Sequence, residues 1–107
     1  MYMVELEVNF EKRLDKWSYG DDKSKITFFR NYFTHSTPLE QYVIKYSSIS
    51  YIKKYYDFNI YIHTPEITIT IKCNRPYEKE CADRFNKFYT HLLTAYSHNE
   101  NEPTKHW

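Results

Sequence analysis

Glycine is almost missing from this chain: Gly20 is the only one in 107 residues. That excludes every glycine-rich phosphate loop, because such loops need several positions where backbone approaches a phosphate without a Cβ. Cysteine is nearly as scarce. Cys73 and Cys81 cannot build the several-bridge framework that staples small secreted domains. No Cys-x-x-Cys, His-Glu-x-x-His, Gly-x-Ser-x-Gly or EF-hand spacing occurs. The two thiols read as reduced and mostly buried, as in a cytosolic protein. No apolar run comes near the ~20 residues that span a bilayer. The opening Met1-Tyr2-Met3-Val4-Glu5 carries acid early and lacks the order of a secretory leader. A soluble, cytoplasmic protein without a membrane span is expected. An excess of one charge is also absent. Fifteen basic and 14 acidic side chains leave a net charge of +1, so no global basic footprint for nucleic acid exists.

What the chain does have is aromatic side chains, 20% of all residues, with 12 tyrosines. Lys, Asn, Ile, Tyr and Phe abound while Gly, Ala and Arg are rare. AT-rich codons encode the first group, a bias common in phages, viruses and low-GC bacteria. The length suits one domain with one core.

Hydrophobic periodicity carries most of the fold. Tyr2, Val4, Leu6, Val8 and Phe10 alternate with Met3, Glu5, Glu7, Asn9 and Glu11, a strand whose acidic face meets solvent. Residues 11–24 read as a long polar loop, with a short helical turn around Leu14 to Trp17. Lys25 to Thr34 reads as one strand covered on both faces, with a helix as the alternative, and His35-Ser36-Thr37-Pro38 as a turn. Gln41 to Tyr46 and Ile49 to Tyr56 alternate as strands separated by Ser47-Ser48. Phe58, Ile60 and Ile62, then Ile67, Ile69 and Ile71, make a hairpin about Thr64-Pro65-Glu66. From Asn74-Arg75-Pro76 the period changes to that of a helix, with Tyr77, Cys81, Phe85, Phe88, Leu92 and Ala95 or Tyr96 on its apolar stripe. The expectation is an α+β domain over residues 1–97: a curved antiparallel sheet of about six strands with one C-terminal amphipathic helix, followed by a polar tail over 98–107.

The element order Ser-Ser-Ile-Ser-Tyr-Ile, charged turn, Asn-Ile-Tyr-Ile-His-Thr, short turn, Ile-Thr-Ile-Lys-Cys and closing helix resembles the C-terminal half of a pleckstrin-homology-like domain, including GRAM-type members. The resemblance spans roughly residues 40–96 and implies a PH-like roll. Lipid-binding members grip phosphoinositides with basic residues in the first strand–loop–strand unit, which here holds Lys12, Arg13, Lys16, Lys23 and Lys25. Asp15, Asp21 and Asp22 lie among them, and Phe85 and Phe88 stand where the closing helix typically carries a tryptophan. Such domains also serve as protein-binding platforms, so the resemblance implies a binding module rather than an enzyme.

No catalytic or metal constellation emerges. The histidines His35, His63, His91, His98 and His106 lack ligand spacing and read as adventitious or solvated, and Asp21-Asp22 reads as a pair of loop acids. No cofactor is expected. The aromatic–basic mixture points instead to binding. Lys53, Lys54, Tyr55 and Tyr56 form a patch, and Tyr61, His63, Thr68, Thr70 and Lys72 line the outward hairpin face. Trp17 and Tyr19 join them as contact candidates, and Trp107 is left to dock on the domain, on a second subunit, or nowhere. The plain reading is that Tyr fills half-exposed sheet positions. The functional one is a non-enzymatic protein-binding module, in its concrete form a phage- or virus-type accessory protein that inhibits a host target. Its alternative is a sheet that stacks single-stranded nucleic acid. A free sheet edge would also allow pairing with a second copy as a homodimer.

Overall fold

The computed structural model describes residues 2–11, 15–56 and 59–101. Among the described residues, eight strands form two four-stranded sheets instead of one sheet of about six, and one helix closes the fold. The first sheet has the order β1 (Tyr2–Val8), β8 (Ile67–Cys73), β7 (Asn59–His63) and β6 (Tyr51–Tyr55). The second runs in sequence order: β2 (Ser18–Gly20), β3 (Lys25–Phe28), β4 (Tyr32–Ser36) and β5 (Gln41–Lys45).

The β7–β8 hairpin forms as its alternation requires, closed at Thr64, whose hydroxyl accepts from the Ile67 amide at 3.0 Å. The departures lie in the N-terminal half. Strand β1 pairs parallel with β8, from Tyr2 opposite Ile67 to Val8 opposite Cys73, so the sheet is not purely antiparallel. Alternation marks which face a side chain takes; it carries no information about strand direction. Lys25 to Thr34 is two strands, not one. The Phe29 amide donates to the Tyr32 carbonyl at 2.8 Å, and Phe28 then faces Phe33 in a hairpin that no glycine or proline announces. The polar loop over 11–24 contains β2, and its Gly20 sits at φ +110°. There a Cβ would meet the Ser24 carbonyl oxygen at 2.1 Å, so the single glycine stands where the chain turns from β2 toward β3.

Both sheets turn an apolar face to one core. The first contributes Leu6, Val8, Ile60, Ile62, Ile69 and Ile71; the second contributes Tyr19, Ile26, Phe28, Phe33 and Ile44. Helix α1 (Lys79–Asn101) lays Cys81, Phe85, Phe88 and Leu92, all fully buried, into this core. The Phe88 ring meets Phe10, Tyr19 and Phe28 at 5.3, 5.3 and 5.4 Å, tying the chain just past β1 to strands β2 and β3. The helix starts later and ends later than its pattern suggests. Tyr77 precedes it and is exposed, and Asn101 lies beyond the start assigned to the polar tail. Between the sheets, the 3-10 turn Tyr46–Ser48 carries the crossing, and the buried Tyr46 hydroxyl donates to the Phe29 carbonyl at 3.0 Å. Among the described residues, no helix is long and apolar enough to cross a membrane.

Candidate functional site

Register assembles the outer face of the first sheet. Met3, Thr68, His63 and Tyr51 lie side by side across its strands; Glu5, Thr70, Tyr61 and Lys53 form the next row, and Glu7, Lys72, Asn59 and Tyr55 the third. The sequence-designated residues Lys53, Tyr55, Tyr61, His63 and Lys72 therefore share one surface. Tyr51 joins them; its alternation with Lys53 and Tyr55 was the signal for it. Met3, Tyr51, Lys53 and Tyr55 are exposed along the two edges, while Tyr61 and His63 are half-buried between them.

Local contacts hold this surface in shape. The Tyr51 and His63 rings stack at 4.9 Å and 15°. His63 Nδ1 lies 3.0 Å from the Thr68 hydroxyl, and the Asn59 amide donates to the Tyr61 hydroxyl at 3.3 Å. Lys72 Nζ meets Glu5 at 3.2 Å, a solvent-exposed pair that stabilises little. Charge is thus graded across the face, from Glu5 and Glu7 on β1 to Lys53 on the β6 edge.

Four other designated residues go elsewhere. Lys54 alternates to the inner side, where its ammonium donates to Asn86 and lies 5.4 Å from the Tyr89 ring on α1. Tyr56 follows the end of β6 at φ +54° and packs edge-on against Tyr55 at 4.7 Å. Tyr19, expected as a contact residue, is a core side chain, because its place in β2 opposite Ile26 turns it inward onto Phe88. Trp17 is half-exposed beside the second sheet, with its ring 5.5 Å from His91 and the Lys16 ammonium 4.9 Å from its centre. Trp107, His106, Lys12, Arg13 and Phe58 lie outside the described residues.

Two clusters have chemically interesting members. His35 is in β4 and buried, not solvated, with Nε2 2.7 Å from the Ser24 hydroxyl and, among the described residues, no hydrogen-bond partner at Nδ1. Burial holds its pKa below the usual histidine value, against an opposing pull from Glu40. Cys73 and Cys81 are both buried, with no disulfide between them in this structure. Burial first, and then the Glu78 carboxylate, push the Cys81 thiol up and suppress its thiolate. Among the described residues no group of three or more acidic, histidine or cysteine side chains is placed to hold a metal ion.

Comparison with protein-family models, curated proteins and solved structures finds no match.

Proposed function

We propose that the protein is a non-enzymatic binding module whose outer first-sheet face, with the adjoining β6 edge, engages a protein partner. The observation that carries this reading is the side-by-side display of Tyr51, Tyr55 and Tyr61 with His63 and Lys53, next to a strand with one unpaired edge. Tyrosines offer large, rigid contact area with a polar tip, and an unpaired edge offers backbone donors and acceptors to an added strand. The partner is expected to place an acidic or amide side chain opposite Lys53.

A second copy fits this edge poorly, since antiparallel pairing centred on Lys53 would set two ammonium groups against each other. Single-stranded nucleic acid is the second reading for this face, favoured by its rings and lysines but opposed by Glu5 and Glu7 and by the engagement of Lys72 with Glu5. The pleckstrin-homology-like assignment belongs to the same proposal and rests on the closing hairpin and helix. The role of a phage- or virus-type inhibitor acting in the cytoplasm rests on composition.

The test is affinity capture of the tagged chain from cells of its source, with and without nuclease, alongside the Tyr55→Ser/Lys53→Glu double variant and the exposed control Leu39→Ser. A stoichiometric protein that survives nuclease and is lost only with the double variant supports the reading. Capture that vanishes with nuclease, or that the double variant leaves intact, overturns it.

A further inference from the structure

Among the described residues the two sheets have four outer strands: β1 and β6 in the first, β2 and β5 in the second. Strand β5, Gln41–Lys45, differs from the other three in what it would set against a copy of itself. Its pairing with β4 fixes which backbone groups it holds outward. The Tyr46 amide donates to the Asn31 carbonyl at 3.1 Å, and the Thr37 amide to the Glu40 carbonyl at 2.9 Å. Both bonds continue the register that sets Val43 opposite Thr34. Hydrogen-bonded positions alternate along an antiparallel pair, so the backbones of Tyr42 and Ile44 bond to β4. Gln41, Val43 and Lys45 therefore turn their N–H and C=O groups to the outer edge. Their side chains are exposed, and Val43, at 55%, is a β-branched residue on an open edge.

An antiparallel copy centred on Val43 engages all three outward positions in both chains. Val43 then faces Val43, and Gln41 of each copy faces Lys45 of the other. The Gln41 side-chain oxygen accepts the Ser36 hydroxyl at 3.1 Å and keeps a second lone pair for the ammonium. On the core-facing side, Tyr42 of the other copy comes opposite Ile44. A cleft of about 390 Å³ lies beside Ile44, between β5 and the β7–β8 turn, with Ile49, Pro65 and Ile67 among its walls. The added strand covers it. The other edges fail the same comparison. Self-pairing about the middle of β1 opposes two Glu5 carboxylates, that of β6 opposes two Lys53 ammonium groups, and β2 has three residues.

We propose that the protein self-associates through β5, joining the second sheets of two copies into one continuous sheet about a two-fold axis at Val43. Two five-residue strands bury less than the ~1,200 Å² of a standard interface, so the dimer is a weak one that forms at about 100 µM. The edge belongs to a different sheet from the face proposed to meet a protein partner, so failure of either reading leaves the other standing.

The experiment is sedimentation velocity of the full chain from about 10 to 1,000 µM, a range that brackets such an affinity. It is repeated for Val43→Lys, Val43→Glu and their equimolar mixture. Val43 is exposed, and thermal melting verifies that each variant stays folded. The parent should pass from monomer to dimer across the range. Each variant alone should weaken the dimer about tenfold, through loss of the valine pair and like charges at the self-opposed position. The mixture sets the introduced ammonium against the introduced carboxylate and should recover association. Lys53→Glu, on the β6 edge, should leave the dimer unchanged. A parent that stays monomeric throughout overturns the proposal. So does a dimer indifferent to both Val43 variants, a mixture no better than either variant alone, or a dimer lost with Lys53→Glu.

Discussion

Phe88→Ala tests whether the helix unites the two sheets. The side chain is fully buried and meets three other rings, Phe10, Tyr19 and Phe28, at 5.3–5.4 Å. Truncating a buried Phe to Ala costs about 3–5 kcal/mol, through lost transfer energy and the cavity left behind. The tilted and edge-on ring geometries place Phe88 toward the upper end, since favourable aromatic pairs add about 0.5–1.5 kcal/mol beyond burial. A domain of this size has roughly 5–15 kcal/mol in total, so the loss is a third of it or more. The melting temperature should fall by on the order of 20 °C, at about 4–8 °C per kcal/mol. Thermal melting measures that fall, and urea unfolding followed both by far-ultraviolet circular dichroism and by Trp17 fluorescence in the Trp107→Phe background measures the free-energy loss. One coincident transition, shifted by that amount, is expected, while Tyr77→Ala, at an exposed position, should move it by less than about 0.5 kcal/mol. A loss below about 1 kcal/mol, or two separate transitions in the parent protein, would refute the picture of one core joined at Phe88.

Two further predictions follow from particular groups. Because burial lowers the His35 pKa, the unfolded chain binds its proton first; the contribution of neutral His35 is present above about pH 6.5 and is lost as pH falls through that value. Urea midpoints at pH 7.5 and 5.0 should therefore converge in His35→Gln relative to the parent, and an unchanged pH dependence would show that His35 is not the group responsible. At Gly20, a Cβ meets the Ser24 carbonyl at 2.1 Å and φ is +110°, so Gly20→Ala should destabilise by at least about 1–3 kcal/mol in the same assay. A neutral result would mean that the β2–β3 turn adopts another conformation.

The parts legible in the sequence were those with local, repeating signals. Period-two alternation placed β1, β5, β6 and the β7–β8 hairpin, and the change of period after Pro76 announced the helix and its buried Phe85, Phe88 and Leu92. The same alternation grouped Tyr61, His63 and Lys72 on one outward face. Within β6 the same alternation sets Lys53 and Tyr55 on one side and Lys54 on the other, which divides the patch of Lys53, Lys54, Tyr55 and Tyr56.

What the amino-acid sequence determined by itself was therefore the existence of most strands, the helix stripe and the facing of each side chain within its own strand, because these depend on backbone geometry over a few residues. Tertiary structure alone decided strand partners and direction, the division into two sheets, and the meeting of distant residues. The parallel pairing of β1 with β8 joins the first strand to the last, and nothing local to either strand encodes it. Tyr19 became core because β2 lies beside β3 and under Phe88, although its neighbours in sequence are polar. A groove lined by Trp17, Phe29 and Arg30 likewise exists only because the β2–β3 hairpin, turning after Gly20, brings the end of β3 beside the start of β2, where His91, Thr94, Ala95 and His98 of α1 line one wall.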